Sequence, residues 1–354
     1  MAEKDIINQL TLLELAKRSN DGNFLEIAEV LNQINDVLQD APWLECNQTT
    51  SHVGTRRTHL PTGTWKQINV GIPKSASATR QVTEPVGVLQ DYSIVDKTLV
   101  DIASDPVKFR SDEDIAHVEG MSQTIASGIF YGSIATTPEA FNGFATRYNA
   151  LSMSNVWGAG GTGSDTTSLW IIDWGPRRVH FLYPKGQTKI VKTEDLGVRP
   201  AYDASNNPFE AYWTHFTISC GIFVHDDRCV QRIANIETSG TSNTLDDDSI
   251  ITALNQLPNP GQVGGARIYV NRTLKTQMEI LAKDKSNVNY TSDNAFGEPV
   301  TRFRGVPVRL CEAILDGLEA LGFAGRLALA PTPLAARWLA RFAPGSQVSE
   351  APAL

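Results

Sequence analysis

The chain has 354 residues, 41% hydrophobic and 20% charged, a globular composition with enough length to bury one or two cores. Its 39 acidic residues outnumber 31 basic ones, and the formal net charge of −8 argues against tight binding to nucleic-acid phosphates, which usually needs a basic face. The sequence has neither an apolar run long enough to span a membrane nor the basic-then-apolar order of a signal peptide, so we expect synthesis in the cytosol.

The first 45 residues carry two amphipathic stretches. Apolar residues at helical spacing mark one face within residues 6–16 and another within residues 24–38, and the turn-forming residues 19–22 separate them. Pro42 ends this region. The pattern predicts either a small helical hairpin packed on its own domain or an arm that lies on a neighbouring subunit.

The next stretch predicts a long two-stranded loop. Residues 58–70 and 80–89 each indicate an extended segment, and the polar residues 71–79 join them. An isolated two-stranded ribbon is only marginally stable in water, so this one needs a surface on which to lie. We favour the surface of another subunit, because nothing adjacent in sequence offers a partner face.

Residues 111–132 predict an amphipathic helix. Ser111 can cap its N-terminus, and three acidic residues follow in the first turn, where the helix dipole favours negative charge. Spacings of three and four predict one mostly apolar stripe, formed by Ile115, Val118, Ser122, Ile125 and Ile129. Gly128 and Gly132 weaken the helix, and Pro138 stops any continuation into the aromatic loop that follows.

The remaining chain is rich in predicted strands. A hairpin is expected where residues 169–174 and 179–183 flank the turn former Gly175. Further predictions are strands at residues 209–224, 267–270 and 300–311 (two strands around Gly305), an ordered element at residues 230–236, and helices capped by Thr244 with residues 246–248 and by Asn271. From about residue 317 the composition shifts to Ala, Leu, Pro and Arg, which predicts a short amphipathic helix at residues 334–342 and a mobile end.

No stretch of the sequence carries a convincing active-site motif. Residues 158–163 match GxGxxG, but a dinucleotide loop needs a helix after it, and here a strand is predicted. The metal-like set His215, Cys220, His225 and Cys229 has spacings that suit neither one strand face nor a zinc knuckle. We therefore predict no catalytic residue, no cofactor and no metal, with free thiols and a turn in which Asp226 or Asp227 pairs with Arg228.

Six short segments occur together in an order that resembles a known family. They are VGTRRTHLP at residues 53–61, IFYG at 129–132, PEAFNGFATRYN at 138–149, RIANI at 232–236, IYVNR at 268–272 and FRGVPV at 303–308. This order resembles the major capsid proteins of tailed double-stranded DNA bacteriophages, which have the Hong Kong 97-type fold. The resemblance covers roughly residues 50–315.

That resemblance implies an α+β Hong Kong 97-like fold with defined parts. They are an N-terminal arm (1–50), an extended β-hairpin loop (51–100), a peripheral domain with a long spine helix and strands (101–134 and 286–315), an axial domain with a mixed sheet and helices (135–285), and a C-terminal extension (316–354). The extended loop would lie over a neighbouring subunit, and its candidate subunit contacts are Arg56, Arg57, Trp65, Lys66, Lys74, Arg80 and Glu84.

The implied function is structural, not enzymatic. Subunits would assemble into pentamers and hexamers of an icosahedral head that encloses double-stranded DNA, which they would touch only by weak, non-specific contacts. A separate scaffolding protein, a portal and a decoration protein are the implied partners, and no membrane is involved. The implied location is the virion, after assembly in the cytoplasm of the bacterial host.

Three other functions remain open on the sequence. One is the shell of an encapsulin-like cellular compartment with the same fold, and another is a phage tail or connector component. The third is a β-rich hydrolase or carbohydrate-binding protein that uses Trp170, Trp174 and Trp213 as its binding surface, although aromatic residues in β-rich segments more often belong to a core.

Overall fold

The computed structural model describes residues 19–20, 23–24, 33–162, 165–187, 190–203, 205–240, 242–258, 265–282, 290–293 and 300–317. The helices within these ranges are α1 (Val37–Asp40), α2 (Lys97–Ile102), α3 (Pro106–Tyr131), α4 (Phe144–Arg147), α5 (Asp247–Asn255) and α6 (Arg272–Ala282). No helix in this described part of the chain is both long enough and apolar enough to cross a membrane.

The strands are numbered in chain order. They are β1 (Ser19–Asn20), β2 (Asn23–Phe24), β3 (Trp43–Glu45), β4 (Ser51–His59), β5 (Ala78–Pro85), β6 (Gly87–Asp96), β7 (Val156–Gly158), β8 (Thr166–Asp173), β9 (Val179–Tyr183), β10 (Val191–Tyr202), β11 (Pro208–Val224), β12 (Val230–Glu237), β13 (Ala266–Val270), β14 (Tyr290–Asp293), β15 (Val300–Phe303) and β16 (Val306–Leu310).

Strand β11 organises the first sheet. Its 17 residues pair antiparallel with β10 and β6 along residues 208–220, and with β9 along residues 221–224. Strand β3 then adds to β9 in parallel. The predicted strand at residues 209–224 is therefore confirmed, and a single strand links two groups of neighbours.

The second sheet has seven strands in the order β14-β15-β16-β13-β8-β12-β7. Every residue of β8 is buried, because the sheet is covered on both faces. Side chains alternate along a strand, so Trp170 and Ile172 enter one core while Leu169 and Ile171 enter another under α5 and α6. The first of these cores is shared with α3 and with β11, whose Phe216 it contains.

Helix α3 is the predicted spine helix, but it begins five residues before Ser111. Asp105 is the N-cap and accepts a hydrogen bond from the Lys108 amide (3.1 Å), and Pro106 occupies the first turn, where a missing N–H costs nothing. The predicted cap at Ser111 is therefore wrong. The helix ends at Tyr131 with Gly132 as its C-cap, as the glycines predicted.

The predicted apolar stripe of α3 is only half right. Ile125 and Ile129 are buried in the first core, but Ile115 and Val118 are exposed. The N-terminal half of the helix contacts the first sheet through polar side chains, so the apolar stripe does not continue along that half. Among these, Asp114 accepts a hydrogen bond from the Thr214 hydroxyl (3.4 Å).

The predicted hairpin around Gly175 is wrong in its pairing. Both strands exist, as β8 and β9, but β8 pairs with β12 and β13 while β9 pairs with β11 and β3. The turn does close locally, since the Gly175 amide donates to Val179 O (2.9 Å) and the Arg178 amide donates to Gly175 O (3.0 Å). It therefore passes the chain from one sheet to the other.

The two-stranded loop is confirmed, but its strands are only partly where the sequence placed them, since the predicted segment 80–89 overlaps β5 while most of the predicted segment 58–70 forms no strand. The two strands are β4 and β5, which pair antiparallel from Ser51 opposite Pro85 to His59 opposite Ala78. Residues 60–77, which include most of the predicted segment 58–70, form no strand. We call β4 and β5 the ribbon, and residues 60–77 its tip.

Other predictions are confirmed more closely. Asn271 caps α6 by accepting the Leu274 amide (2.9 Å), β15 and β16 meet at Gly305, and the four cysteines are free and buried. Helix α5 is present with Asp246 as its N-cap, but Asp246 makes no side-chain capping bond. The predictions for residues 6–16 and 334–342 lie outside the described residues.

Candidate assembly surface

The tip of the ribbon presents large apolar side chains to solvent. Trp65 is fully exposed and Ile68 is 90% exposed. Leu60, Val70 and Ile72 are also exposed, each to a smaller fraction. A hydrogen bond from Ser75 Oγ to Thr62 O (3.1 Å) joins the two sides of the tip. Scattered exposed apolar residues are ordinary, but several in one 18-residue segment are typical of an interaction site.

The ribbon and tip are also the basic part of an acidic chain. From residue 46 to residue 83 the sequence has no Asp or Glu and five basic residues, which are Arg56, Arg57, Lys66, Lys74 and Arg80. All of these except Arg56 are exposed. A basic arm on a chain of net charge −8 favours contact with an acidic surface, which other copies of the same chain supply.

A buried ion pair fixes the root of the ribbon. Glu84 of β5 is only 7% exposed, and both of its carboxylate oxygens accept hydrogen bonds from Arg147 of α4, at 2.5 and 2.8 Å. Arg147 also donates to the backbone oxygen of Asn142 (3.1 Å). A bidentate pair of this kind is directional, so it sets the angle at which the ribbon leaves the body.

A second polar contact lies on β4. Arg56 pairs with Asp227 at 2.9 Å and also donates to the backbone oxygen of Val224. The other carboxylate oxygen of Asp227 accepts a hydrogen bond from the Tyr148 hydroxyl (3.0 Å). Burial and the Asp227 carboxylate raise the pKa of Tyr148 well above its usual value, so this hydroxyl remains a donor.

Gly54 lets β4 approach β11 closely. A Cβ atom at this position would lie 2.1 Å from Cζ of Phe223, whose ring is fully buried and has no room to move away. Together, His52, Gly54 and Arg56 are alternate residues on one face of β4, and this face meets the end of β11. The ribbon is therefore attached along one face and free along the other.

The close approach at Gly54 gives a direct prediction. Gly54→Ala should destabilise the protein by about 1–3 kcal/mol, because the added methyl group overpacks the contact with Phe223. The urea midpoint measures the change. Gly63→Ala in the tip is the matched control, since nothing lies within 4 Å of its added methyl group, and equal midpoints for the two variants would contradict the close contact.

The seven predicted contact residues thus fall into two groups. Arg57, Trp65, Lys66, Lys74 and Arg80 are exposed on the ribbon and tip, whereas Arg56 and Glu84 are engaged with their own subunit. The sequence did not single out Arg147 or Gly54, and it named Asp227 only as a possible partner of Arg228, which pairs with Asp226 instead. Only the segments VGTRRTHLP and PEAFNGFATRYN, which contain Gly54 and Arg147, carried a signal for these positions.

The alternatives of a metal site and an aromatic binding surface find no support. Within the ranges that the structure describes, no group of three or more His, Cys, Asp or Glu side chains is placed to hold a metal ion. Trp170 and Trp174 are buried in the first core and Trp213 is half-buried, so the three do not form one exposed aromatic surface. In the GxGxxG segment, the amides of Ala159 and Gly161 donate to backbone oxygens of β12 (both 2.9 Å), so they are not free to bind a phosphate.

Comparisons with known proteins agree on one family. The sequence profile of a family described as major capsid protein GP7 matches residues 19–320. A chain in the solved structure of bacteriophage Epsilon15 is 27% identical, with a TM-score of 0.65 over 91% of this chain and 100% of that chain. No curated protein sequence matches the chain.

Two further solved structures are more distant. The bacteriophage JBD30 capsid is 11% identical, with a TM-score of 0.46 over 86% of this chain and 99% of that chain. The SrpI encapsulin complex from Synechococcus elongatus PCC 7942 is 9% identical, with a TM-score of 0.42 over 65% of this chain and 98% of that chain. Both TM-scores are below 0.5, so neither comparison carries the assignment.

Proposed function

Since this chain belongs to the family of major capsid protein GP7 and is a Hong Kong 97-like shell subunit of an icosahedral phage head, we propose that its ribbon and tip are a main contact between neighbouring subunits. The observation that carries this proposal is the cluster of exposed apolar side chains on a tip that the subunit's own fold leaves uncovered. The family is structural, and its members are located in the virion.

The apolar side chains supply the affinity of this contact. Burying a side chain the size of Trp65 or Ile68 against a partner contributes about 1.5–3 kcal/mol each, and each shell repeats the contact many times. Aromatic anchors surrounded by polar residues are typical of the centre of an interface. The exposed tip residues therefore act as anchors on the neighbouring copy.

The basic residues supply orientation and rate. Arg57, Lys66, Lys74 and Arg80 are exposed and lack nearby acidic residues in sequence, so they attract the acidic surface of another copy over about one Debye length. Assembly should accordingly slow as salt concentration rises. Glu84 and Arg56 contribute differently, because they fix the direction in which the ribbon points.

The division into parts is also a proposal. Residues 1–50 form an arm, 101–134 with 286–315 a peripheral domain, 135–285 an axial domain, and 316–354 an extension. Ala313 and Ile314 support the return of the chain to the peripheral domain, since both lie in the same core as Ile129 of α3.

The assembly pathway completes the proposal. Subunits assemble into capsomers, which we propose are pentamers and hexamers formed in the bacterial cytoplasm with a separate scaffolding protein and a portal, and to which a decoration protein binds. The acidic net charge fits a lining that holds packaged DNA only by weak, non-specific contacts.

Replacing the apolar anchors tests the proposal. Trp65→Ser combined with Ile68→Ser should leave the unfolding midpoint of the subunit unchanged, because both side chains are exposed, but should reduce the yield of shells at least tenfold. Sedimentation velocity and electron microscopy measure the yield. Gln67→Ala, between the two positions in the same tip, is the matched control and should assemble normally. Normal shells from the double variant would rule out the tip as a main contact.

A further inference from the structure

Three histidines meet where the ribbon joins the body. His52 lies on β4, His180 on β9, and His225 directly after β11. The ring centroids of His52 and His180 are 5.9 Å apart, and those of His180 and His225 are 5.3 Å apart. All three rings also contact Phe223, the residue that faces Gly54.

One ring of the cluster is buried and the other two are half-buried, and three of the ring nitrogens lack hydrogen-bond partners. His180 is fully buried, and neither of its ring nitrogens makes a hydrogen bond of good geometry. Nδ1 of His52 is also buried without a partner. Buried polar atoms that lack partners are destabilising, so their presence where the ribbon joins the body calls for a functional reason.

The groups that shift the pKa values of these rings are positive or can become so, and the carboxylate opposite His52 across the ribbon, Glu84, is bound by Arg147. Burial first, and then His225 and His52, lower the pKa of His180 to about 4, against a small opposing effect of the Gly175 backbone. Burial, His52 and Arg56 lower the pKa of His225, and burial lowers that of His52.

The carboxylates around the cluster already have partners of their own. Asp227 is bound by Arg56 and by the Tyr148 hydroxyl. Asp226 is paired with Arg228 (2.7 Å), and Asp173 is paired with Arg178 (2.6 Å). No carboxylate is among the groups that shift the pKa values of these histidines, so a proton added to the cluster meets net repulsion from Arg56 and from the other rings.

We propose that His52, His180 and His225 form a proton-operated hinge: neutral rings hold the root of the ribbon on the body together with the Glu84–Arg147 and Arg56–Asp227 pairs, and protonation of the rings shifts the balance toward release. The release follows because His52 moves with β4, whereas His180 and His225 stay with the first sheet. Two positive charges less than 6 Å apart in a poorly solvated cluster repel strongly, and moving the ribbon both separates and hydrates them.

The direction and size of the effect follow from linkage. A histidine whose pKa is lower when the ribbon is docked binds its proton more readily when the ribbon is released, so docking is stable above pH 6.5 and weakens as pH falls toward 4. For His180 alone, a return from a pKa of about 4 to the ordinary 6.5 on release would multiply the released fraction by about 30 between pH 7.5 and pH 5.0. His52 and His225 add to this in the same direction.

The consequence for assembly rests on the proposed function of the ribbon. If the tip contacts a neighbouring subunit, acid would change the angle at which the ribbon presents the tip to that subunit, without altering the tip itself. The hinge, however, is a property of one subunit, so it can be tested before any assembly takes place.

Hydrogen exchange with mass spectrometry on unassembled, full-length protein tests the hinge. From pH 7.5 to pH 5.0, and after correction for intrinsic exchange rates, protection of β4 and β5 should fall about 30-fold while β8 and β12 stay protected. His180→Phe keeps a planar aromatic ring and removes the titrating group, and it should reduce the loss at β4 and β5 to less than about fivefold. His215→Phe is the matched control, because His215 stacks on Tyr92 outside the cluster, and it should behave as wild type.

Two results would overturn the hinge. One is equal protection of β4 and β5 at both pH values in the wild type. The other is an unchanged acid response in His180→Phe, or in His225→Gln if the first variant does not fold. Either result would leave the tip contact untouched, because that contact is tested by the shell yield of the Trp65 and Ile68 variant.

Discussion

Arg147→Met is expected to destabilise the subunit by about 3–5 kcal/mol, the range found when one partner of a buried ion pair is removed. The change leaves the Glu84 carboxylate buried without its bidentate partner, and it also removes the hydrogen bond to the Asn142 backbone. Both losses fall at the root of the ribbon. Calorimetry and the urea midpoint should show the effect, together with faster hydrogen exchange in β5.

An exposed ion pair provides the control for this experiment. Lys97 and Glu210 are 2.9 Å apart but solvent-exposed, so Lys97→Met should leave the urea midpoint nearly unchanged. Combining Arg147→Met with Glu84→Leu should recover part of the lost stability, since no uncompensated charge remains. If Arg147→Met and Lys97→Met had similar effects, the buried pair would not be what holds the ribbon.

Gly143→Ala is expected to cost about 3 kcal/mol or more, or to prevent soluble expression. The chain crosses the end of α3 here, and the Gly143 amide donates to Gly132 O (2.8 Å). An added Cβ atom would lie 2.6 Å from the backbone oxygen of Phe130 and 2.7 Å from that of Gly128. Since both obstacles are backbone atoms, relief requires the helix end itself to shift. The melting temperature and the soluble yield measure the effect.

Gly120 is a matched control in the middle of the same helix. Nothing lies within 4 Å of the Cβ atom that Gly120→Ala would add, so this substitution should stabilise the protein by about 0.5–1 kcal/mol through helix propensity. Opposite signs for the two glycines would establish the close crossing at the end of α3. Equal effects would show that the backbone accommodates a side chain at Gly143.

The sequence predicted individual helices, strands and turns well wherever the residues of that element determine its structure. The 17-residue strand β11 is dense in β-branched and aromatic residues, and Asn271 and Gly305 set local geometry by their own chemistry. The start of α3 was misplaced because Asp105 and Ser111 are both good caps, and Pro106 decides between them.

Pairings between distant segments could not be predicted from local pattern. The turn at Gly175 has hairpin chemistry, yet tertiary packing sends β8 and β9 to different sheets. The same limit applies to predicting the candidate site from the sequence. Trp65 and the lysines of the tip were named because the resemblance implies an extended loop over residues 51–100, whereas Glu84 and Arg147 are 63 residues apart and nothing in their neighbourhoods links them.

The long pairing distances of β11 also bear on how the subunit is made. The ribbon ends at Pro85, but the end of β11 on which its root rests is not complete until Val224, so 139 further residues must be synthesised first. At a bacterial ribosome this takes on the order of ten seconds. During that interval the basic ribbon and its apolar tip exist without a body to hold them. Newly made chains on one polysome are therefore exposed to premature association through the tip, and timing of synthesis becomes part of the assembly problem.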